Sequence, residues 1–412
     1  MTNNNNLSDN NFDNTQSNII KSEDSYVVGF LEKYACLVDK CPVHCCSAWT
    51  IAVDKDTIVH WTRNHPELLN GVEFSKTPSD DSKMKMHSVN NIDECIFYTK
   101  ERTCQIHAKY GSSSLPDICN YYPHLYKSFN EIIYLSATIS CVAIAYIILD
   151  DEEDINFKYN VIQNYPIKKN RKDIYDLFRG YEMISNKINV LDFYHTLIEH
   201  INKYKNIKDF CVDFLYLSQY LDDNSIFATK LTNNEILMLN FEKSKSPEHF
   251  NKINIKFRMF YKDLLFEIIE NIMSTNREFE KKLIVYIDVY KEKSGFLEDA
   301  FFQYSQDPDG ANKHLKYIRR FIKAKLSQSI FPYGVITSHF TKFAIILAIE
   351  ILIINLIFAI FFYHNSLDDD IVPKVIYTID RAFYGRSYNK LFDKIMMSNL
   401  DKIENIFACF ID

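Results

Sequence analysis

The sequence predicts a mainly α-helical protein in two parts, a cysteine-rich N-terminal module with little strand and an all-α domain behind it. Three observations predict this. Eight of the ten cysteines fall between Cys36 and Cys141, and only Cys211 and Cys409 follow. From about residue 170 onward, apolar residues recur at helical spacing. Clean period-two alternation, the mark of half-buried strands, is missing from that second part. The boundaries read from these shifts are a disordered tail over 1–26, the cysteine-rich module over 27–150, and the helical domain over 151–412.

Composition narrows the function. A chain of 412 residues has room for two or three domains, and 47% apolar with 25% charged residues is the balance of a globular protein. Its 31 Phe and 27 Tyr supply material for large cores. Only 8 glycines occur, no two of them spaced GxG, which argues against a dinucleotide fingerprint or a phosphate-cradling loop. A net charge of −7 gives no general attraction to nucleic acid. The Asn-, Ser- and Asp-rich stretch up to Asp24 lacks the basic start and apolar centre of a secretory signal, so a cytoplasmic location is expected. In that compartment clustered cysteines bind metal or do redox chemistry more often than they form structural disulfides.

Taken in order, Val27 to Tyr34 reads as a short extended or helical lead into Cys36, Cys41, Cys45 and Cys46. Ser47 to Val53 is apolar and β-branched and reads as one strand. Asp54 has the place of a helix N-cap before a short helix from Thr57 to Trp61. Residues 75–93 read as a surface loop or ragged hairpin. Cys95 and Cys104 flank a polar turn that suits a hairpin presenting both thiols to one centre, and prolines bracket Cys119. Val142 to Leu149 opens a helix or strand after Cys141.

In the second part, Ile207, Phe210, Cys211, Phe214, Leu217 and Leu221 share a helical face. Phe257 to Ile272 repeats the pattern more strongly, and Lys281 to Lys293 and His314 to Leu326 also read as helices. Asp307 to Gly310 marks a turn, and Tyr388 to Ile406 an amphipathic helix. Phe343 to Phe362 is long and apolar enough to span a membrane. Glu350 and Asn355 interrupt it at a depth where polar groups are costly, so a buried core helix and no membrane span is the expectation. Buried there, both need partners, for which Arg381 and Arg386 are candidates in a structural role.

The chemistry sits in the cysteines. Thiolates bind zinc tetrahedrally or hold iron–sulfur clusters with one thiolate per iron. The spacings are C-x4-C-x3-CC, then C-x8-C-x14-C, then C-x21-C, with no CxxC knuckle and no CxxxCxxC. Adjacent Cys45 and Cys46 project in different directions, awkward for one ion and easier for a larger cluster. The candidate metal ligands are therefore Cys36, Cys41, Cys45, Cys46, Cys95, Cys104, Cys119 and Cys141. Cys211 belongs to an apolar stripe and Cys409 is incidental. His44 and His107 are read as donors to a ligand rather than ligands, and Trp49, Tyr98, Tyr121 and Tyr122 as an apolar shell. No residue is assigned a catalytic or cofactor-binding role.

The run Cys36-x4-Cys41-x3-Cys45-Cys46-Ser-x-Trp49 is followed by Cys95-x-Phe97, by Cys104-x-Ile106-His107, and by Leu115-x-Asp117-x-Cys119-x-x-Tyr122-Pro123. With Leu135-Ser136 and Ser140-Cys141, it resembles the flagellin lysine N-methylase family, whose cysteine pattern is shared by small zinc- or iron-chelating cluster proteins. Ser329 to Pro332 and Arg386 to Asn389 echo it weakly. The chain departs from the family pattern at Ile96 and Tyr98, at Asn120 where an arginine is usual, and at Val142 where a proline is usual. The resemblance implies a protein-lysine N-methyltransferase that moves a methyl group from S-adenosylmethionine to lysine amines of flagellin. It also implies an iron–sulfur cluster, 4Fe-4S in type, on the cysteine module, with zinc as the alternative. The competing expectation is a non-catalytic zinc- or iron–sulfur-binding structural or interaction protein.

Overall fold

The computed structural model describes residues 25–42, 45–47, 50–77, 80–89, 92–129, 132–150, 155–159, 175–176, 190–205, 207–224, 278–291, 296–331 and 340–384. Helix dominates it, with small sheets confined to residues 25–176. The expected helices at 257–272 and 388–406, together with His44, Trp49, Arg386 and Cys409, lie outside the described residues.

Two apolar cores organise the chain. The smaller gathers Ile51, Val53, Trp61, Leu68, Val72, Met84, Cys95 and Ile106. Helix α1 (Lys55–Asn64) begins where expected, because Asp54 accepts from the Thr57 amide at 2.8 Å. Trp61 on its inner face is fully buried, and its indole N–H donates to Ser114 O at 2.8 Å. Strands β2 (Ala52–Val53), β3 (Val72–Glu73) and β4 (Ser82–Met84) form a three-stranded antiparallel sheet over this helix. The expected strand over 47–53 shrinks to β2, and the expected ragged hairpin is real: β5 (Met86–Val89) pairs with β6 (Ile92–Cys95). Helix α2 (Gln105–Tyr110) stops at Gly111, whose φ of 80° is a backbone state that favours glycine. Helix α3 (Asp117–Tyr121) follows.

The larger core joins a five-stranded sheet to the helices. Strands β7 (His124–Phe129) and β8 (Ile132–Ala137) make an antiparallel hairpin. Against β8 lies β1 (Ser25–Val28), parallel, with Tyr26 opposite Tyr134. Strands β9 (Phe157–Tyr159) and β10 (Tyr175–Asp176) close the two edges. The module thus holds more strand than expected: several pieces are only two to four residues long, and β8, buried along nearly its whole length, does not alternate.

Helix α4 (Val142–Asp150) leads to α5 (Val190–Lys203), α6 (Ile207–Asn224), α7 (Glu278–Lys291), α8 (Phe296–Gln306), α9 (Pro308–Ser329), α10 (Phe340–Tyr363) and α11 (Ile371–Tyr384). The run Asp307 to Gly310 does not turn out of helix. Asp307 alone separates α8 from α9, and Pro308 is the first residue of α9, where a missing N–H costs nothing. Helix α10 is apolar all round and therefore central, packed against α6, α8 and α11. By length and composition it could cross a membrane, yet 89% of its most apolar stretch is buried inside the protein.

Candidate functional site

The cysteines fall into two groups. Cys46 and Cys95 are drawn together by the Cys95 amide, which donates to Cys46 O at 2.7 Å, and Ser47 bridges to Glu94 of β6. The chain turns after Cys95, and Tyr98 bridges back to Cys104 at the start of α2, so the two thiols do end up on one hairpin. Cys119 arrives on α3 and packs with Cys46 and Cys104 against the smaller core. Around Cys45 and Cys46, the thiols of Cys95, Cys104 and Cys119 are near enough to shift one another's ionisation. Cys36, Cys41 and Cys141 form the second group. Cys41 and Cys141 pack against the larger core instead. Cys45 stands between the groups, because Tyr34 and Tyr122 feel its charge together with that of Cys141.

The electrostatics follow from burial and from donors. Burial pushes Cys95 up to about 11, and it also raises Cys104 and Cys119. Amide hydrogen bonds from His107 and Ile106 partly offset this at Cys104. Burial likewise raises Cys141 to about 12, against hydrogen bonds from the Ile144 and Ala143 amides at the start of α4. Cys45 moves the other way: a hydrogen bond from the Cys46 thiol lowers it, and the Arg381 guanidinium adds to the effect. Arg381 also donates to Ser47 O, one residue beyond the Cys45–Cys46 pair. Arg102 does the same for the other group, donating to Cys41 O.

The nine described cysteines are thiols rather than disulfides. Among the described residues, no three His, Cys, Asp or Glu side chains are arranged to hold a single metal ion. A tetrahedral ion needs its sulfurs about 2.3 Å from one point. A cluster takes one thiolate per iron and so accepts sulfurs that are spread apart. The thiols of Cys45, Cys46, Cys95, Cys104 and Cys119 are the donor set that this part of the chain brings near one another.

The residues expected around the thiols divide. Tyr98 bridges to Cys104 as a neighbour of the site, whereas Tyr121 turns into the larger core against Tyr126. The Tyr122 hydroxyl meets Ser140 Oγ at 3.2 Å, and His107 is exposed on α2. Cys211 is buried in the larger core as its stripe implied.

A second polar centre lies in the helical domain. Glu350 is fully buried, but its partner is Lys325 of α9, at 2.8 Å, and not Arg381. The same ammonium reaches Asp380 of α11 at 2.8 Å. Arg381 follows the other side of α11 toward Ser47, which is why it cannot serve Glu350. Asn355 needs no distant partner, since its amide donates to Ile351 O one turn back, at 3.0 Å. The signal available in the sequence was a lone acid in an apolar helix; the lysine that answers it lies on another helix.

The architecture is that of a mainly α protein carrying a thiol-rich N-terminal region. No family model matches the chain, and no solved structure matches it. It is similar to the flagellar biosynthetic protein FliU of Salmonella muenchen, 22% identical over 130 residues that make up 30% of this chain and 76% of that protein. It is also similar to the lysine-N-methylases of Salmonella typhimurium and Salmonella choleraesuis, each 21% identical over 130 residues, 30% of this chain. The match spans about a third, 32%, of those two methylases.

Proposed function

We propose that the chain is a cytoplasmic protein-lysine N-methyltransferase that moves a methyl group from S-adenosylmethionine to lysine amines of flagellin. The observation that carries this reading is the distant similarity to proteins named lysine-N-methylase and to a flagellar biosynthetic protein. The cysteine-rich region supports a resident iron–sulfur cluster. Its ligands would come from Cys45, Cys46, Cys95, Cys104 and Cys119, with Cys36, Cys41 and Cys141 as the further candidates.

Methyl transfer needs a neutral amine, because the lone pair of nitrogen must attack carbon. Free lysine holds its proton up to about 10.4, so the protein must make loss of that proton easier. When bound, S-adenosylmethionine supplies the electrophilic methyl on a sulfonium. Burial eases the loss of the proton by disfavouring the charged form of the amine.

Two measurements test the reading. Metal and sulfide analysis of anaerobically purified protein is expected to return iron and acid-labile sulfide; stoichiometric zinc in a colourless protein overturns the cluster. Incubation with S-adenosylmethionine and flagellin is expected to add mass to flagellin in single methyl steps at lysine. No transfer, with donor binding shown separately, overturns flagellin as the substrate, and no donor binding overturns the methyltransferase.

A further inference from the structure

The buried ion pair of the helical core belongs to a longer chain of polar groups. Glu350 Oε1 accepts from Lys325 Nζ at 2.8 Å, and the same Nζ donates to Asp380 Oδ1 at 2.8 Å. Asp380 Oδ2 accepts from Thr138 Oγ1 at 3.3 Å. Thr138 and Ser140 share a hydrogen bond of 2.9 Å, and Ser140 shares one of 3.2 Å with Tyr122. Six side chains therefore run without a break from Tyr122, beside the thiols, to the middle of the most apolar helix.

The chain has a direction. Asp380 only accepts, so Thr138 must donate to it, Ser140 can donate to Thr138, and Tyr122 can donate to Ser140. Every hydroxyl hydrogen can point at the carboxylates. At the far end, two carboxylates of 0% exposure face a single ammonium. Glu350 Oε2 has no hydrogen-bond partner. An ionised carboxylate in apolar surroundings with one oxygen unserved is costly, and a bound proton removes that cost. Burial, reinforced by Asp380 and opposed by Lys325, raises Glu350 to about 7. Lys325 from α9 and Asp380 from α11 are the charged groups acting on it; among the described residues, none from α6, α7 or α8 does so.

We propose that Lys325, Glu350 and Asp380 form a buried proton-accepting site, joined to the cysteine side by Thr138, Ser140 and Tyr122, that takes up the proton an amine must shed before it is methylated. This rests on the methyltransferase reading and names where its proton goes. In the step itself, nitrogen bonds to the methyl carbon of the sulfonium donor. The carbon–sulfur bond breaks and its electron pair stays on sulfur as a neutral thioether, while the nitrogen becomes a methylated ammonium; the proton passed along the chain is the one the starting ammonium gives up before the attack. Each hydroxyl passes on its own proton as it receives the next, until Asp380 accepts one. Lys325 then gives a proton to Glu350 and regains one from Asp380, so the ammonium is restored.

Infrared difference spectroscopy of the full chain tests the site without turnover. The neutral carboxyl stretch is expected at pH 6 in the parent, fading as pH rises through about 7, and absent in Glu350→Gln. In deuterated water, Thr138→Val is expected to slow exchange of that proton by on the order of tenfold. Thr138→Ser should restore the rate, and this pair reads the path even where Glu350→Gln fails to fold. A band that persists in Glu350→Gln, or exchange unchanged in Thr138→Val, overturns the proposal whether or not methylation is found. A Glu350 band with Thr138-dependent exchange upholds the site even if the methylated amine proves not to be flagellin.

Discussion

Asp380 and Arg381 are neighbours on α11 and serve different cores: the Asp380 carboxylate accepts from Lys325 inside the helices, while the Arg381 guanidinium donates to Ser47 O beside the thiols. Successive residues on a helix point about 100° apart, so one short stretch can hold both ends. Helix α11 thereby fixes the Cys45–Ser47 turn against the helical core.

In the metal-free protein, Arg381→Gln is expected to reduce the reactivity of Cys45 at neutral pH. Cys45 is exposed, and its lowered pKa comes first from the Cys46 hydrogen bond and then from Arg381. Losing the arginine raises the thiol and shrinks the thiolate fraction, the form that attacks. Alkylation at pH 7, followed by mass spectrometry of the Cys45 peptide, should slow by roughly twofold, the effect of about half a pK unit on a thiol near 7. A rate unchanged across the pH range counts against the contact.

Lys325→Met is expected to be among the most damaging substitutions in the chain. It leaves Glu350 and Asp380, both fully buried, without their shared cation. Breaking a buried pair from one side costs about 3–5 kcal/mol. Urea unfolding should show a lower midpoint with an unchanged slope, and a loss below about 1 kcal/mol would mean the carboxylates find water.

The same triad predicts a pH dependence. Glu350 is raised from 4.5 to about 7, chiefly by burial, so the folded chain keeps a proton there that the unfolded chain has released. Its contribution to stability is fully present below pH 4.5, declines as pH rises, and is lost above about 7. Integrated over the window, that amounts to roughly 3 kcal/mol. Glu350→Gln should flatten this part of the stability profile, and an identical slope in the variant would assign the dependence to other groups.

What could be read in advance was what is local. Asp54 could be placed as a cap because an N-cap speaks to an amide three residues away. Helix α10 was legible because its apolar run is self-contained, and the density of cysteines needed no fold to be noticed. Glu350 stood out for the same reason, while Lys325 did not, since only tertiary packing brings α9 to it. The parallel pairing of β1 with β8 and the division of the thiols around Cys45 and Cys141 are equally long-range. Spacing along the chain carries no information about either.

Gly71 makes a tighter prediction. A Cβ placed there would collide with the edge of the Phe97 ring, which lies edge-on to Trp61 at 6.3 Å in the smaller core. Gly71→Ala therefore has to displace an aromatic ring two residues from Cys95. Overpacking of this kind costs about 1–3 kcal/mol. Thermal unfolding should register the loss, and Phe97→Leu in the same chain should return part of it. Additive effects of the two substitutions would rule out the collision as the cause.

Asp54 joins the cap of one helix to the start of another. Its Oδ1 accepts from the Thr57 amide at 2.8 Å, and its Oδ2 accepts from the Asp117 amide at 2.9 Å and from the Thr57 hydroxyl at 2.7 Å. One carboxylate thus satisfies an amide at the head of α1 and another at the head of α3, the helix that carries Cys119. Asp54→Ala loses the cap, a cost of about 0.5–2 kcal/mol, and strands the Asp117 amide as well. The second loss reaches the site, because α3 is then held less firmly against the thiols. Asp54→Asn keeps an acceptor oxygen and should recover most of the first term but less of the second, since one amide oxygen cannot face both helices. In the metal-free protein, alkylation of Cys119 is expected to quicken in Asp54→Ala more than the fall in global stability alone would give, with Cys211, buried in the other core, as the internal standard. Equal acceleration at Cys119 and Cys211 would show that the substitution acts only through global unfolding, and that the tie between α1 and α3 does not position the thiol.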